Sequence, residues 1–475
     1  MEKGKKLFSG TLLLGISAVF GKMLSLFLLP FFTAKLSPSA FGVTEIFITT
    51  AVLLIPLFSL YAPQSTFRFL AGGEPGAVRA GAVLLTAGLL LLAGFVPLLG
   101  RFESLRAYRL LLYFYVCASL LRSFLAHILR AKGRFEIFAL QQSFCALFTA
   151  LLQVFFLLET SLGAVGYLLG IVLGDAVTFF ILLLYFLLFR ERETRPEAAL
   201  YGKMLRFSLP LIPAALLWWG MGAIEKYFLL YYHGEASMGL YAVASRFPAL
   251  IGFGAGIFME VWHYAVLQGE REREGVLFGR IYAALFPFLI LSGAAVSVLS
   301  PLLISGALSG SYGEAVRAVG LLSFGAVCGA LSTFLDSIYT LRLSSLHSML
   351  TALCAAAINP LLCYWLVPRL GIVGAAAAGA LSFAALFWLR LWHTARLLAF
   401  PRYRKRSAIS LALLFFCGCL MAGKYVVFAT VMALIAVLPV VRLFREGSLL
   451  LYKRLRILLR HTGKGKGYSS PKRKV

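Results

Sequence analysis

The sequence predicts an all-α integral membrane protein with about 14 transmembrane helices. They form two parallel six-helix bundles around a central cavity, plus two C-terminal helices. Three observations predict it. Hydrophobic residues make up 61% of the 475 residues and charged residues only 13%. The apolar residues fall into repeated blocks of about 20, the length that carries a helix across a bilayer. The basic residues, which bring the net charge to +26, collect in the short segments between alternate blocks, as in cytoplasmic loops. That arrangement excludes the usual reading of a basic total as nucleic-acid binding.

In chain order the spans fall at 9–33, 41–64, 77–99, 108–129, 136–158, 162–189, 205–231, 239–266, 278–304, 315–340, 346–367, 371–395, 408–423 and 425–444. The count lies between 12 and 14, because only Gly423-Lys424 separates the last pair. Lys3, Lys5 and Lys6 precede an apolar segment that continues past a signal-peptide core without a small-residue cleavage site, so it reads as a retained first helix. With the N-terminus inside, about 33 basic residues fall on the cytoplasmic side and about 7 outside, and an even helix count places both termini in the cytoplasm.

The chain divides into a first lobe at 1–200, a second at 201–400, two further helices at 401–446 and a basic cytoplasmic tail at 447–475. The tail run Leu450 to Arg460 alternates leucines with Lys453, Arg454 and Arg456, the pattern of an interfacial helix on anionic lipid. No loop is long enough for a folded soluble domain, and no Gly-rich phosphate loop of the Walker type occurs. ATP hydrolysis is therefore not expected. The seven cysteines all lie in apolar segments without zinc-ligand spacing, and His127, His263, His347 and His393 show none either, so no metal site is expected.

A weak internal repeat joins the lobes. Phe27 to Phe32, a short loop and Phe41-Gly42-Val43 resemble Phe228 to His233, a short loop and Gly239-Leu240-Tyr241. Six helices separate the copies, so both have the same orientation. Parallel repeats of this kind imply two bundles related by an axis along the membrane normal, able to rock around a shared cavity.

Charges inside spans are costly, by about 2.5–3.5 kcal/mol each on insertion scales, and mark candidate sites. The bases are Lys22, Arg122, Lys226 and Arg246, with Arg68 and Arg390 near inner ends. For Arg68 and Arg390 the plain reading is snorkelling to the headgroups. For Lys22, Lys226 and Arg246 the choice lies between a cavity role and a structural ion pair. The acids are Glu45, Asp175, Glu225, Glu260 and Asp336. Asp175 lies mid-helix and needs a base or a proton. Glu225 and Lys226 are neighbours, so they leave the helix on different faces and each needs another partner; Lys22 or Arg246 is the expected one for Glu225. Coupling to protons or sodium through these acids stands beside a fixed counter-ion role. The aromatic pairs Trp218-Trp219, Trp262-Tyr264 and Phe387-Trp388 suit sugar stacking, although helix packing explains most such residues.

Leu29-Pro30, Leu36 to Gly42, Arg68-Phe69, Phe207 to Pro213, the pair Glu225-Lys226 and Gly239 to Ala244 together resemble bacterial oligosaccharide flippases of the Wzx (polysaccharide transporter) type. These belong to the multidrug/oligosaccharidyl-lipid/polysaccharide (MOP) exporter superfamily. That family usually has Asp-Arg where this chain has Glu-Lys. The resemblance implies two six-helix lobes, residence in the bacterial cytoplasmic membrane, and movement of undecaprenyl-pyrophosphate-linked oligosaccharide from the inner to the outer leaflet for surface polysaccharide biosynthesis. It implies partners among polysaccharide polymerases and glycosyltransferases and no cofactor, with drive from an H+ or Na+ gradient or the membrane potential. Basic side chains on the cavity suit the pyrophosphate; Lys22, Lys226, Arg246, Arg122 and Arg68 are the candidates, with Glu225, Asp175, Glu45 and Glu260 as ion-coupling or counter-ion residues. A lipid II flippase, with two helices beyond the two-lobe core, fits as well. The basic excess counts against a cation-coupled multidrug exporter, and the short outer loops count against a membrane glycosyltransferase or polymerase.

Overall fold

The computed structural model describes residues 15, 17, 19–101, 103–189, 194–268, 274–342, 344–398 and 404–437; side chains at 260, 261, 263–268, 274, 345 and 404–406 are outside that description. The expected interfacial helix at 450–460 lies outside the described residues.

The first helix, α1, covers 19–27 and resumes after Leu28 as Leu29–Lys35. Ser37 then caps α2 (Pro38–Phe58): its Oγ accepts from the Ala40 N–H at 3.2 Å, and Pro38 supplies the preset φ of a first turn. The expected span at 41–64 is in fact two helices. Leu60 and Tyr61 hold positive φ (47° and 52°), which an α-helix cannot include, and the chain restarts as α3 (Ala62–Ala71) with a proline in its first turn. There follow α4 (Ala77–Leu99), a single turn at Glu103–Arg106, α5 (Arg109–Ala131), α6 (Phe135–Glu159) and α7 (Ala164–Leu188). These helices pack on one another, α6 on α7, α5 on α7 and α3 on α5.

The expected loop at 190–204 ends in a helix, α8 (Ala198–Ser208), laid against α3 and α4 with Leu200 and Met204 buried. Lys203 reaches Glu74 at 3.8 Å.

The next helix, α9 (Leu211–Arg246), shows no loop where 232–238 was expected to form one; only Gly234 departs from helical geometry, at φ 74° and ψ −175°. A straight rod would set Lys226 and Arg246, twenty residues apart, about 30 Å from each other. Both reach the carboxylate of Glu45, at 2.5 and 3.0 Å. The chain therefore doubles back at Gly234, and α9 is two arms, 211–233 and 235–246.

The remaining helices are α10 (Ala249–Gln268), α11 (Glu274–Ala307), a 3₁₀ turn at Gly310–Ala315, α12 (Val316–Leu341), α13 (Ser345–Leu370), α14 (Ile372–Leu397), α15 (Arg404–Ala422) and 426–437. Lys424, at φ 69°, breaks the last pair where Gly423-Lys424 was expected to. Helix α12 is the axis of this half, with α14, α15, α11 and α10 around it. Among the described residues, ten helical runs are long and apolar enough to cross a bilayer, and three shorter apolar helices accompany them.

Helix α9 packs on α13 and α14 of its own half and on α2 of the other. Where α2 crosses the second arm of α9, the contact is reciprocal. A Cβ on Gly42 would fall 1.9 Å from the Glu235 carbonyl oxygen, and a Cβ on Gly239 would fall 1.9 Å from that of Pro38. Each glycine lies four residues after the carbonyl that the other abuts. That two-fold relation is what the sequence repeat around Gly42 and Gly239 foreshadowed, and it brings the two backbones closer than any side chain would allow.

Candidate functional site

One turn beyond Gly42 on the same face of α2 stands Glu45, and one turn further Thr49. Glu45 is 6% exposed, yet its two oxygens are both occupied from the other half of the chain. Oε1 accepts from Lys226 Nζ at 2.5 Å and Oε2 from Arg246 Nη2 at 3.0 Å. Lys226 also reaches Thr49 Oγ1 at 3.4 Å. Burial of such charges is tolerable only with this pairing. The cluster holds two cations and one anion and is left with a net positive charge.

Polar contacts extend the seam in both directions. The Trp219 indole donates to the Thr49 carbonyl at 3.0 Å, and the Tyr227 and Thr50 hydroxyls are 2.9 Å apart. Ser39 donates to Glu235 at 3.1 Å, and Tyr312 donates to the Leu36 carbonyl at 2.8 Å. Trp219 is thus engaged with a backbone group, and its ring lies 5.6 Å from that of Tyr227.

Glu225 and Lys226 face different partners, as their adjacency requires. The expected partner of Glu225 was Lys22 or Arg246, and neither serves. Arg246 is held by Glu45, and Lys22 Nζ lies over the Phe253 ring, 4.4 Å from its centre. Glu225 turns instead toward α13 and α14, where Asn359 Nδ2 donates to its Oε1 at 2.8 Å. That oxygen would lie 2.6 Å from a Cβ at Gly379, so the glycine makes the room. The other oxygen, Oε2, is enclosed with no hydrogen-bond partner, and among the described residues no base pairs with this acid. The reason lies in the doubling back at Gly234, which carries Arg246 to α2 rather than to the face of Glu225.

Arg122 and Asp175 form a separate pair, Nε to Oδ1 at 2.9 Å, within the first half; Cys145 Sγ also donates to Asp175. Arg68 is exposed on α3, away from the Glu45 cluster. Arg390 does not snorkel. It is fully buried, pairs with Asp336 at 2.9 Å and donates to Thr351 Oγ1 and to the carbonyls of Ser332 and Ser348. Two helices, α12 and α13, surround it with acceptors, so its charge is satisfied without reaching the headgroups. The side chain of Glu260 lies outside the described residues. The structure thus joins Lys226, Arg246 and Glu45 and leaves Lys22, Arg122, Arg68, Asp175 and Glu225 elsewhere.

Sequence reasoning missed Asn359, Thr49 and Gly379. A signal existed for Asn359, an amide inside the apolar run Ala355 to Leu362. Thr49 carries none, and Gly379 ends the glycine-rich run Gly371 to Gly379, which signals close helix packing but not room for a carboxylate.

No protein-family model and no curated protein matches this sequence. Solved structures do. A lipid II flippase MurJ in an inward closed conformation is 16% identical with a TM-score of 0.64, over 94% of this chain and 99% of that one. A multidrug resistance MATE family transporter of the MOP superfamily, inward-facing, is 16% identical with a TM-score of 0.60, over 79% and 94%. An outward-facing one is 17% identical with a TM-score of 0.57, over 82% and 95%. Together with the long apolar helices, this makes the chain a multi-pass membrane protein with the fold of the MOP-superfamily transporters.

Proposed function

We propose that this chain is a flippase that moves undecaprenyl-pyrophosphate-linked oligosaccharide from the inner to the outer leaflet of the bacterial cytoplasmic membrane by alternating access. One observation carries the reading: Lys226 and Arg246 present two cations from one half of the molecule, with a single acid, Glu45, between them. Two bases in a low-dielectric interior suit a diphosphate, with the guanidinium able to bind two oxygens at once. The excess of basic residues between the helices on one side supports an outer placement for the crossing of Gly42 and Gly239, which would make the conformation described one that is closed outside. A cluster of net positive charge disfavours a cationic drug as cargo.

Glu225 is the acid we assign to coupling. It is enclosed, has one unpartnered oxygen and sits beside an amide that can bond either protonation state. A proton or sodium ion taken up there would be sensed by α9, α13 and α14 together. The polymerase and glycosyltransferases of a surface polysaccharide are the expected functional partners, and anionic lipid is the expected partner of the basic tail.

A second substrate reading, lipid II, is favoured by one observation. The likeness to the lipid II flippase spans 94% of this chain, against 79–82% for the MATE transporters. The test is the double variant Lys226→Met/Arg246→Met in vesicles or cells, with lipid-linked sugar in the outer leaflet as the readout. We expect transport to fall at least tenfold; unchanged transport would remove these cations from the substrate path. Supplying lipid II and an O-antigen-type lipid-linked sugar in parallel separates the two substrates.

A further inference from the structure

Among the described residues Glu45 differs from the other paired acids within the helices in bonding two bases that both belong to the opposite half of the chain. Asp175 is paired with Arg122 inside the first half, and Asp336 with Arg390 inside the second. Glu45 also lies one turn from Gly42, about 4.5 Å along the helix, on the face that crosses the second arm of α9. Parting the two backbones at Gly42 and Gly239 must therefore pull Glu45 from Lys226 and Arg246. Conversely, anything that takes those cations from Glu45 removes the strongest polar tie across the crossing.

We propose that Glu45 is an internal stand-in for the cargo's phosphate: a membrane-held diphosphate displaces it from Lys226 and Arg246, and its release unlatches the outer crossing. This deepens the phosphate reading given above and rests on it. The carboxylate offers those bases one charge and two oxygens. A diphosphate offers at least two charges and more oxygens, so exchange satisfies both cations better than Glu45 does. The freed carboxylate, which pairs with no base of its own half among the described residues, needs water, which an opened crossing admits. After the cargo leaves, Glu45 is the remaining anion for the two bases, and its return closes the crossing. The latch thus links opening outward to loading, and suppresses opening when empty.

The experiment uses the full chain in nanodiscs with spin labels at Lys35→Cys and Ala236→Cys, exposed positions on either side of the crossing. The native cysteines are replaced. Inorganic pyrophosphate and farnesyl pyrophosphate are the probes, with binding measured alongside the label distance. In the parent protein, farnesyl pyrophosphate should lengthen the distance at concentrations at least tenfold below those needed of inorganic pyrophosphate. Glu45→Gln, nearly the same shape without the charge, should show the long distance with no probe and bind pyrophosphate at least tenfold more tightly. Glu45→Asp, which keeps the charge, should stay closed until probe is added. Thermal unfolding of both variants checks that they are folded.

Pyrophosphate that binds through Lys226 and Arg246, with Glu45→Gln leaving affinity and distance unchanged, would overturn the latch and spare the phosphate site. Absence of binding to the parent and to Glu45→Gln alike would overturn both. Equal potency of the two probes would overturn the membrane lipid as the source of the diphosphate.

Discussion

Replacing Gly42 and Gly239 by alanine tests how the two halves close. In the structure each added Cβ would lie 1.9 Å from a carbonyl oxygen of the opposing helix. Contacts shorter than 3.0 Å are essentially never found for a real Cβ, so at each position the helices must part by more than 1 Å. Backbone oxygens of helix termini cannot rotate aside as a side chain can. Overpacking of this kind costs typically about 1–3 kcal/mol, and it falls on the closed arrangement alone. At about 2 kcal/mol, the closed population drops by a factor of about 30 relative to the open one. The parting also stretches the Glu45 bonds, which add to the same side of the balance. The assay is the distance distribution between labels at positions 35 and 236 in lipid nanodiscs, for each single alanine variant and the double. Both single variants should shift it toward the longer distance to a similar extent, because the contact is reciprocal. A double variant with the short distance of the parent would refute the reasoning, for it would mean that the crossing is loose enough to hold two methyl groups.

Two other expectations follow from the buried charges. Asp336→Ala strands the fully buried Arg390 with neutral acceptors only; breaking one partner of such a pair costs about 3–5 kcal/mol, visible as an earlier unfolding transition in detergent, whereas Asp336→Asn should lose less. Glu225→Gln should leave pyrophosphate binding at Lys226 and Arg246 intact while removing the dependence of transport on an imposed ion gradient; transport that still follows the gradient would take coupling away from this acid.

The class of the molecule was legible in the order of residues, because a bilayer leaves spanning helices as the solution for long apolar blocks with basic connections. The same order also located the two-fold relation, since Gly42 and Gly239 sit at matching places in their repeats and only glycine permits backbones to meet so closely. That Glu225 and Lys226 could not pair followed from helix geometry alone. What the sequence could not decide was who pairs with whom. A loop of free geometry at 232–238 would leave Arg246 available to Glu225. The doubling back at Gly234 set it against Glu45 instead, across the seam. Arg390 looked like a residue reaching for the headgroups because its distance from the span's end was legible, while the ring of acceptors from α12 and α13 was not. Pairing between helices is a property of their rotation and depth, and many residues far apart in the chain set both. Tertiary packing therefore decided the site: one acid from α2 between two bases of α9, and a second acid, one residue from one of those bases, turned away to an amide on α13.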